Sequence, residues 1–401
     1  MLKRAIAVCV IIGLLAACSS PNTEKEKEKD TGNKVDAVEK VDKEALEKEQ
    51  NDASNYFEEM LTAVENNDKT KFMSYQDESN ELFYKEQEVW MKELIQRKNE
   101  GWEISVGINN ITLESLDHGS LELKINMKLN DEDISNHITY PINKIDGKWK
   151  VNDLAFKKIV DGPINLYYLP FIENDAEVIL ADIKDLVNLY TETFGWEPEE
   201  LNIKLYTSLE EISASTGWPH LYGVAVPFIS LKFLVQGSYS ESTYSLMKHE
   251  IVHMMFSDLA NDNTPTFLQE GLATFVSTAV TKDNSGKPQL DLSKIAERES
   301  IILENMEEIK PIDNLKDLNY TDDDVDIYGM GFLITDYLIQ TNGIEKYVDM
   351  TKILKKNEVV DSDNPDREKI VFERAIQALE ETYGSLEELS SGYVDYFNNK
   401  Q

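Results

Sequence analysis

The stretch His249-Glu250-Ile251-Val252-His253 decides how the rest of the chain is read. It is an H-E-x-x-H box in a chain that has only five histidines. Residues four apart share one face of a helix, so both imidazoles reach the same ion while the intervening glutamate stands beside it. The flanking sequence predicts a helix over Glu241–Ala260. Leu246, Ile251, Val252, Met255, Phe256 and Leu259 supply its apolar faces, no proline or glycine interrupts it, and Ser242 or Thr243 is expected to cap its start. A chain of this length shows such a box by chance roughly once in a hundred, so the surroundings must carry the reading.

Two histidines leave a catalytic ion short of a third protein ligand. No histidine follows His253, and the downstream candidate is Glu270 in Phe267-Leu268-Gln269-Glu270-Gly271-Leu272-Ala273. Thr264-Pro265 reads as a helix start, a capping hydroxyl followed by proline at the first helical position, with Asn261–Asn263 as the turn from the box helix. Gly271 and Ala273 are small and are expected to let this second helix approach the first.

The pair His-Glu-x-x-His and Glu-Gly-Leu-Ala resembles the gluzincin metallopeptidases, in particular the small peptidase MA-like domains. The resemblance runs from about Gly162 to the C-terminus and is strongest from Tyr244 to Val276. It extends to Tyr328-Gly329-Met330-Gly331-Phe332 and to the closing segment Phe372–Phe397. It implies one catalytic Zn²⁺ held by His249, His253 and Glu270. Glu250 is then the base that takes a proton from zinc-bound water as it attacks a carbonyl of a peptide or protein substrate. Thermolysin-like enzymes add a downstream histidine, which is absent here. The zinc aminopeptidases use a tyrosine as oxyanion donor, and the matching residue is Tyr328.

Gly223–Gly237 is apolar and reads as one or two strands just before the box helix. In gluzincins a strand here pairs with extended substrate, which implies a substrate-binding role for Val224, Ala225 and Val226. Aminopeptidases of the group place an acidic motif in this neighbourhood, whereas Gly223–Gly237 contains no Asp or Glu. An endopeptidase is therefore expected over an aminopeptidase. Two other readings stay open: a non-catalytic binding or regulatory lipoprotein that retains the fold, and a processing enzyme with a single protein target.

The chain starts Met1-Leu2-Lys3-Arg4, continues with an apolar run from Ala5 to Leu15, and reaches Leu15-Ala16-Ala17-Cys18. A basic start, a short apolar core and small residues before a cut describe a secretory signal, here residues 1–17. The run is too short for a transmembrane helix. The cysteine after Leu-Ala-Ala resembles a bacterial lipobox. This implies that Cys18 carries lipid on its sulfur and amine and anchors an extracytoplasmic protein to the lipid bilayer of the cell membrane. The other cysteine, Cys9, lies in the removed segment, so no disulfide is expected in the mature chain. Residues 18–51 are rich in Lys, Glu and Asp and read as a solvated tether, helical at most near its end.

Composition narrows the partners. Seventy-five acidic and 40 basic residues give a formal net charge of −35, which repels nucleic acid and excludes that role. The remaining length suits two domains. Residues 52–160 read as helices followed by strands, an α+β domain whose closing Asp146-Gly147-Lys148-Trp149-Lys150-Val151 resembles the last hairpin of NTF2-like domains. Residues 161–401 form the expected thermolysin-like, minimal gluzincin α+β domain, with the boundary near Gly162-Pro163. His118 and His137 are expected in exposed turns or strand ends, and His220 in a structural loop. The run Asp322-Asp323-Asp324-Val325-Asp326 has ligands for Ca²⁺, but acid runs in so acidic a chain are usually solvated, and calcium is not expected there. No feature of the sequence sets an oligomeric state.

Overall fold

A computed structural model describes residues 43–306, 308–316, 318, 324–362 and 364–400. The expected signal, Cys18 and most of the tether lie outside the described residues, as do the side chains of the Asp322–Asp326 run. The fold is α+β.

The first part is built from α1 (Lys43–Glu65), α2 (Lys69–Met73) and α3 (Glu81–Asn99), followed by β1 (Glu103–Leu113), β2 (His118–Leu129), β3 (Glu132–Ile145) and β4 (Lys148–Val151). The strands pair antiparallel in chain order. Sequence periodicity explains both layers. Phe57, Met60, Leu61 and Val64 recur at helical spacing and are buried. On β2 every second residue, Leu121, Leu123, Ile125 and Met127, turns into the same core. The β3–β4 turn places Asp146 and Gly147 at φ 50° and 77°, the two positive values that a tight hairpin turn of this hand requires.

The end of the expected tether is helical, as that reading allowed, but it is anchored to the first sheet rather than wholly solvated. Residues 43–51 are the first turns of α1. Glu49 accepts hydrogen bonds from Lys144 Nζ at 2.7 Å and from Trp149 Nε1 at 2.9 Å. An alternating Lys/Glu composition reads as solvated, and one anchoring acid among many is not visible in it.

The second part contains β5 (Lys157–Asp161), β6 (Ile164–Tyr168), α4 (Ala176–Phe194), β7 (Leu201–Tyr206), α5 (Leu209–Thr216), β8 (Gly223–Val226) and β9 (Ser230–Leu234). They form a five-stranded sheet in the order β5-β6-β7-β9-β8. Strands β6, β7 and β9 run parallel, and β5 and β8 are antiparallel edges. Helices α6 (Glu241–Ala260) and α7 (Thr266–Ala279) follow, then the short pair β10 (Val280–Lys282) and β11 (Pro288–Leu290). Helices α8 (Ile295–Asn305), α9 (Asp324–Asn342), α10 (Ile344–Leu354), α11 (Arg367–Tyr383) and α12 (Leu386–Asn398) complete the chain. Among the described residues no helix is long and apolar enough to cross a membrane.

The boundary expected at Gly162-Pro163 is displaced. Gly162, at φ 58°, lies in the tip of the β5–β6 hairpin, inside the second sheet. The chain passes from one sheet to the other over residues 152–156. Glycine and proline mark a hairpin tip and a linker equally well, so the dipeptide cannot separate the two. The two cores also interlock. Ala214 of α5 packs in the first core, and Trp90 Nε1 of α3 donates to its carbonyl at 2.7 Å. All described residues belong to one compact unit.

Candidate metal centre

Helix α6 has the limits expected from sequence, but its cap differs. Ser240, with extended φ/ψ, accepts from the Thr243 N–H at 3.4 Å. Ser242 and Thr243 are already helical and cannot serve. Its C-terminus closes on Asn261 in the left-handed region. Buried contacts fix its height and rotation. Tyr190 donates to the Lys248 carbonyl at 3.0 Å, Lys248 Nζ donates to the Val280 carbonyl at 3.0 Å, and Trp196 Nε1 reaches Asp258 at 2.7 Å.

Helix α7 brings Glu270 across from the two histidines. Glu270 Oε2 lies 3.2 Å from His249 Nε2 and 3.5 Å from His253 Nε2, and the two Nε2 atoms are 3.1 Å apart. Two ligands about 2.0–2.1 Å from one zinc ion at the tetrahedral angle stand about 3.3 Å apart. The three separations match that value, so the donor set fits a zinc-sized ion. Gln269, which sequence reasoning passed over, adds support. Its Oε1 is 3.4 Å from His253 Nδ1, and its amide nitrogen donates to Thr264 Oγ1 at 2.5 Å. An acceptor at Nδ1 favours keeping a proton there, so that Nε2 is the nitrogen available to a metal ion. Thr264 therefore orients Gln269, and Pro265 takes the N-cap position expected for Thr264.

The turn between α6 and α7 is held from the far end of the chain. Asn261 and Asp262 both adopt positive φ. Arg367 of α11 donates to Asp262 at 2.7 Å, and Arg374 of the same helix donates to the buried Asn263 side chain. This clamp sets the register of Glu270 against the histidines. Neither arginine has a sequence signal that separates it from a surface residue.

Gly271 does not serve the α6–α7 approach expected of it. A Cβ built on Gly271 would lie 2.2 Å from the Gly331 carbonyl oxygen, and one on Gly331 would lie 2.0 Å from the Phe267 oxygen. The small residues seat α7 on α9. That contact brings Tyr328, three residues before Gly331, beside the site. Its ring centroid is 6.3 Å from that of His249, with the planes tilted by 34°, and 36% of the residue is exposed.

Glu250 is buried under β8. Burial pushes its carboxyl up from the ordinary value, and His253, His249 and the backbone amide of Ala225 only partly offset this. Burial also opposes charge on His253, but the Glu270 carboxylate beside it prevails and pushes the imidazole up to about 9. Burial works against a charged Glu270 as well, yet His253 and His249 hold it well below the usual carboxylate range.

The hydrogen-bond phase of β8 distinguishes the three residues expected to meet substrate. Leu234 N–H donates to the Tyr222 carbonyl at 2.8 Å, and in the same register Val224 opposes Lys232 and Val226 opposes Ser230. Antiparallel pairs alternate, so Val224 and Val226 turn their backbone groups toward β9 while Gly223 and Ala225 turn theirs outward. Of the three, Ala225 alone turns its backbone groups away from β9, and its amide lies against the Glu250 carboxyl.

The remaining histidines stay outside this group. His118 and His137 sit on β2 and β3, beside Asn143 and Glu122, and His220 is exposed in the bend after α5. His137 lies well inside its strand, not at its end.

No protein-family model matches the chain, and no curated protein matches it either.

Proposed function

We propose that this protein is a zinc metallopeptidase of the gluzincin kind, with a thermolysin-like catalytic half, that cleaves peptide bonds within a peptide or protein chain. The observation that carries the reading is the convergence of His249, His253 and Glu270 at tetrahedral-ligand spacing beside the buried carboxyl of Glu250. His249 Nε2, His253 Nε2 and Glu270 Oε2 would hold the ion. A bound zinc ion acidifies water and polarises a carbonyl.

The rest of the chemistry belongs to the chain. Glu250 accepts the proton of the attacking water and delivers it to the leaving amine. Its raised pKa suits both transfers. An extended peptide adds to the outward edge of β8, pairing with Gly223 and Ala225, which holds its carbonyl against the metal site. Tyr328 donates a hydrogen bond to the oxygen that gains charge. The apolar, acid-free β8–β9 hairpin has no group to hold a free amine, which favours internal cleavage. By the resemblance of its start to a lipoprotein precursor, the protein acts outside the cytoplasm, tethered by lipid on Cys18.

Glu250→Gln tests the reading. The variant should bind zinc as the wild type does, while hydrolysis of a broad peptide library falls by about 100-fold or more. A zinc-loaded wild type inert toward that library and toward cell-surface proteins would instead favour a binding protein.

A further inference from the structure

The first core reaches into the second on both sides of β8. Before the strand, Asn136 of β3 donates from Nδ2 to the Pro219 carbonyl at 2.8 Å and to the Trp218 carbonyl at 3.3 Å. Arg97 of α3 stacks 4.1 Å above the Trp218 ring. After the strand, Glu86 of α3 accepts from Ser230 Oγ at 2.6 Å, binds Lys204 of β7, and stands 3.9 Å from Lys232 of β9. Lys204 and Lys232 are register partners on adjacent strands, and Ser230 opposes Val226 at the end of β8. Glu86, Lys204, Ser230 and Lys232 are all buried. Such a group holds one arrangement firmly, because any displacement strands a charge away from water.

We infer that the N-terminal part is a clamp that sets the position of the β8 edge strand, with Glu86 and Asn136 as its positioning residues. Residues 218–219 and 230–232, which flank the strand, are tied to helix α3 and strand β3. The outward edge of Gly223 and Ala225 has no strand partner, and the Ala225 amide there lies against Glu250. The metal ligands have their own supports, in Gln269 and in the arginines of α11, so the clamp governs the grip on peptide and not the metal. This inference rests on the proposed role of β8 in binding peptide.

The test uses the full chain and two mild variants, Ser230→Ala and Asn136→Ala, with Glu49→Gln as a control that disturbs the first core away from β8. Hydrogen exchange in the zinc-loaded proteins should show the amides of Val224, Val226 and Leu234 exchanging about tenfold faster in both variants, with α6 and α7 unchanged. Zinc content should be unaltered. With a peptide substrate, KM should rise by about tenfold while kcat holds, the pattern of lost uniform binding. Glu49→Gln should show neither change. Unchanged protection of β8 in both variants, or an equal acceleration across sheet and helices, would overturn the clamp. The exchange result decides even if the wild type cleaves no peptide, in which case the proposed activity fails and the clamp is judged separately.

Discussion

Gly271 and Gly331 pack backbone to backbone, and a methyl group on Gly271 would fall within 2.2 Å of the Gly331 carbonyl oxygen. One contact thus seats both the helix that carries Glu270 and the helix that carries Tyr328. Gly331→Ala should force α7 and α9 apart and cost about 1–3 kcal/mol of stability in the metal-free protein. It should also weaken zinc binding, because Glu270 moves with α7. Gly329→Ala is the contrast. Its new methyl would meet the flexible end of Met306 and should be tolerated. Urea denaturation and zinc competition against a chelating dye would separate the two.

Zinc uptake should release a proton. In the metal-free site His253 is pushed up to about 9 from its ordinary 6.5, so it is charged at neutral pH and must lose its proton to become a ligand. Calorimetry at pH 7 in buffers of different ionisation enthalpy should report about one proton released per ion bound. The sign for stability follows from the same pair. The raised His253 contributes stability that is fully present below 6.5 and lost as pH rises through about 9. The lowered Glu270 contributes stability present above 4.5 and lost as pH falls below that value. Metal-free protein should therefore lose stability from pH 6.5 to 9, and the zinc-loaded protein should not follow it.

Tyr328→Phe separates a reacting phenol from a packing ring. The side chain is partly exposed beside His249, so melting temperature and zinc content should be unchanged. Loss of an oxyanion donor should lower kcat by about 100-fold with little change in KM. Unchanged kcat would remove Tyr328 from the chemistry.

Arg374→Ala should loosen the turn between α6 and α7. The Asn263 side chain that it satisfies is fully buried, and an unmet buried group costs about 1–3 kcal/mol. Zinc affinity should fall in parallel, although Arg374 binds no ligand residue directly. Reduced stability with unchanged zinc affinity would show that the α6–α7 register is set elsewhere.

The local elements of this site were legible in sequence because they depend on local rules. The periodicity of Leu246–Leu259 gives α6, and the four-residue spacing gives the two imidazoles one face. The local misreadings only shift a cap, to Ser240 from Ser242 or Thr243 and to Pro265 from Thr264; the larger ones concern contacts between segments far apart in the chain. Gly271 is small for the sake of Gly331, sixty residues on. The α6–α7 turn is held by arginines about a hundred residues away. The inward and outward phase of Val224, Ala225 and Val226 depends on which of them bonds to β9, and composition does not carry that information. One signal was available. Lys204 and Lys232 each interrupt a buried strand, Leu201–Tyr206 and Ser230–Leu234. A lysine in such a run requires a buried acid nearby. Among 75 acidic residues, however, its identity was hidden.

Lys204 also pairs with Asp153, in the segment between the two sheets, at 2.5 Å, and the Glu86–Lys204–Asp153–Lys232 group constrains how the chain folds. The acids come early in the sequence and the lysines later, Lys204 following Glu86 by 118 positions. A nascent chain cannot pair Glu86 and Asp153 with these lysines until the strands bearing both have emerged. A gene fragment for either half alone would expose this charged surface, and a recombinant swap of one half would bury it against a partner without the matching counterion. The two halves are therefore expected to persist through evolution as a joined pair rather than as interchangeable modules.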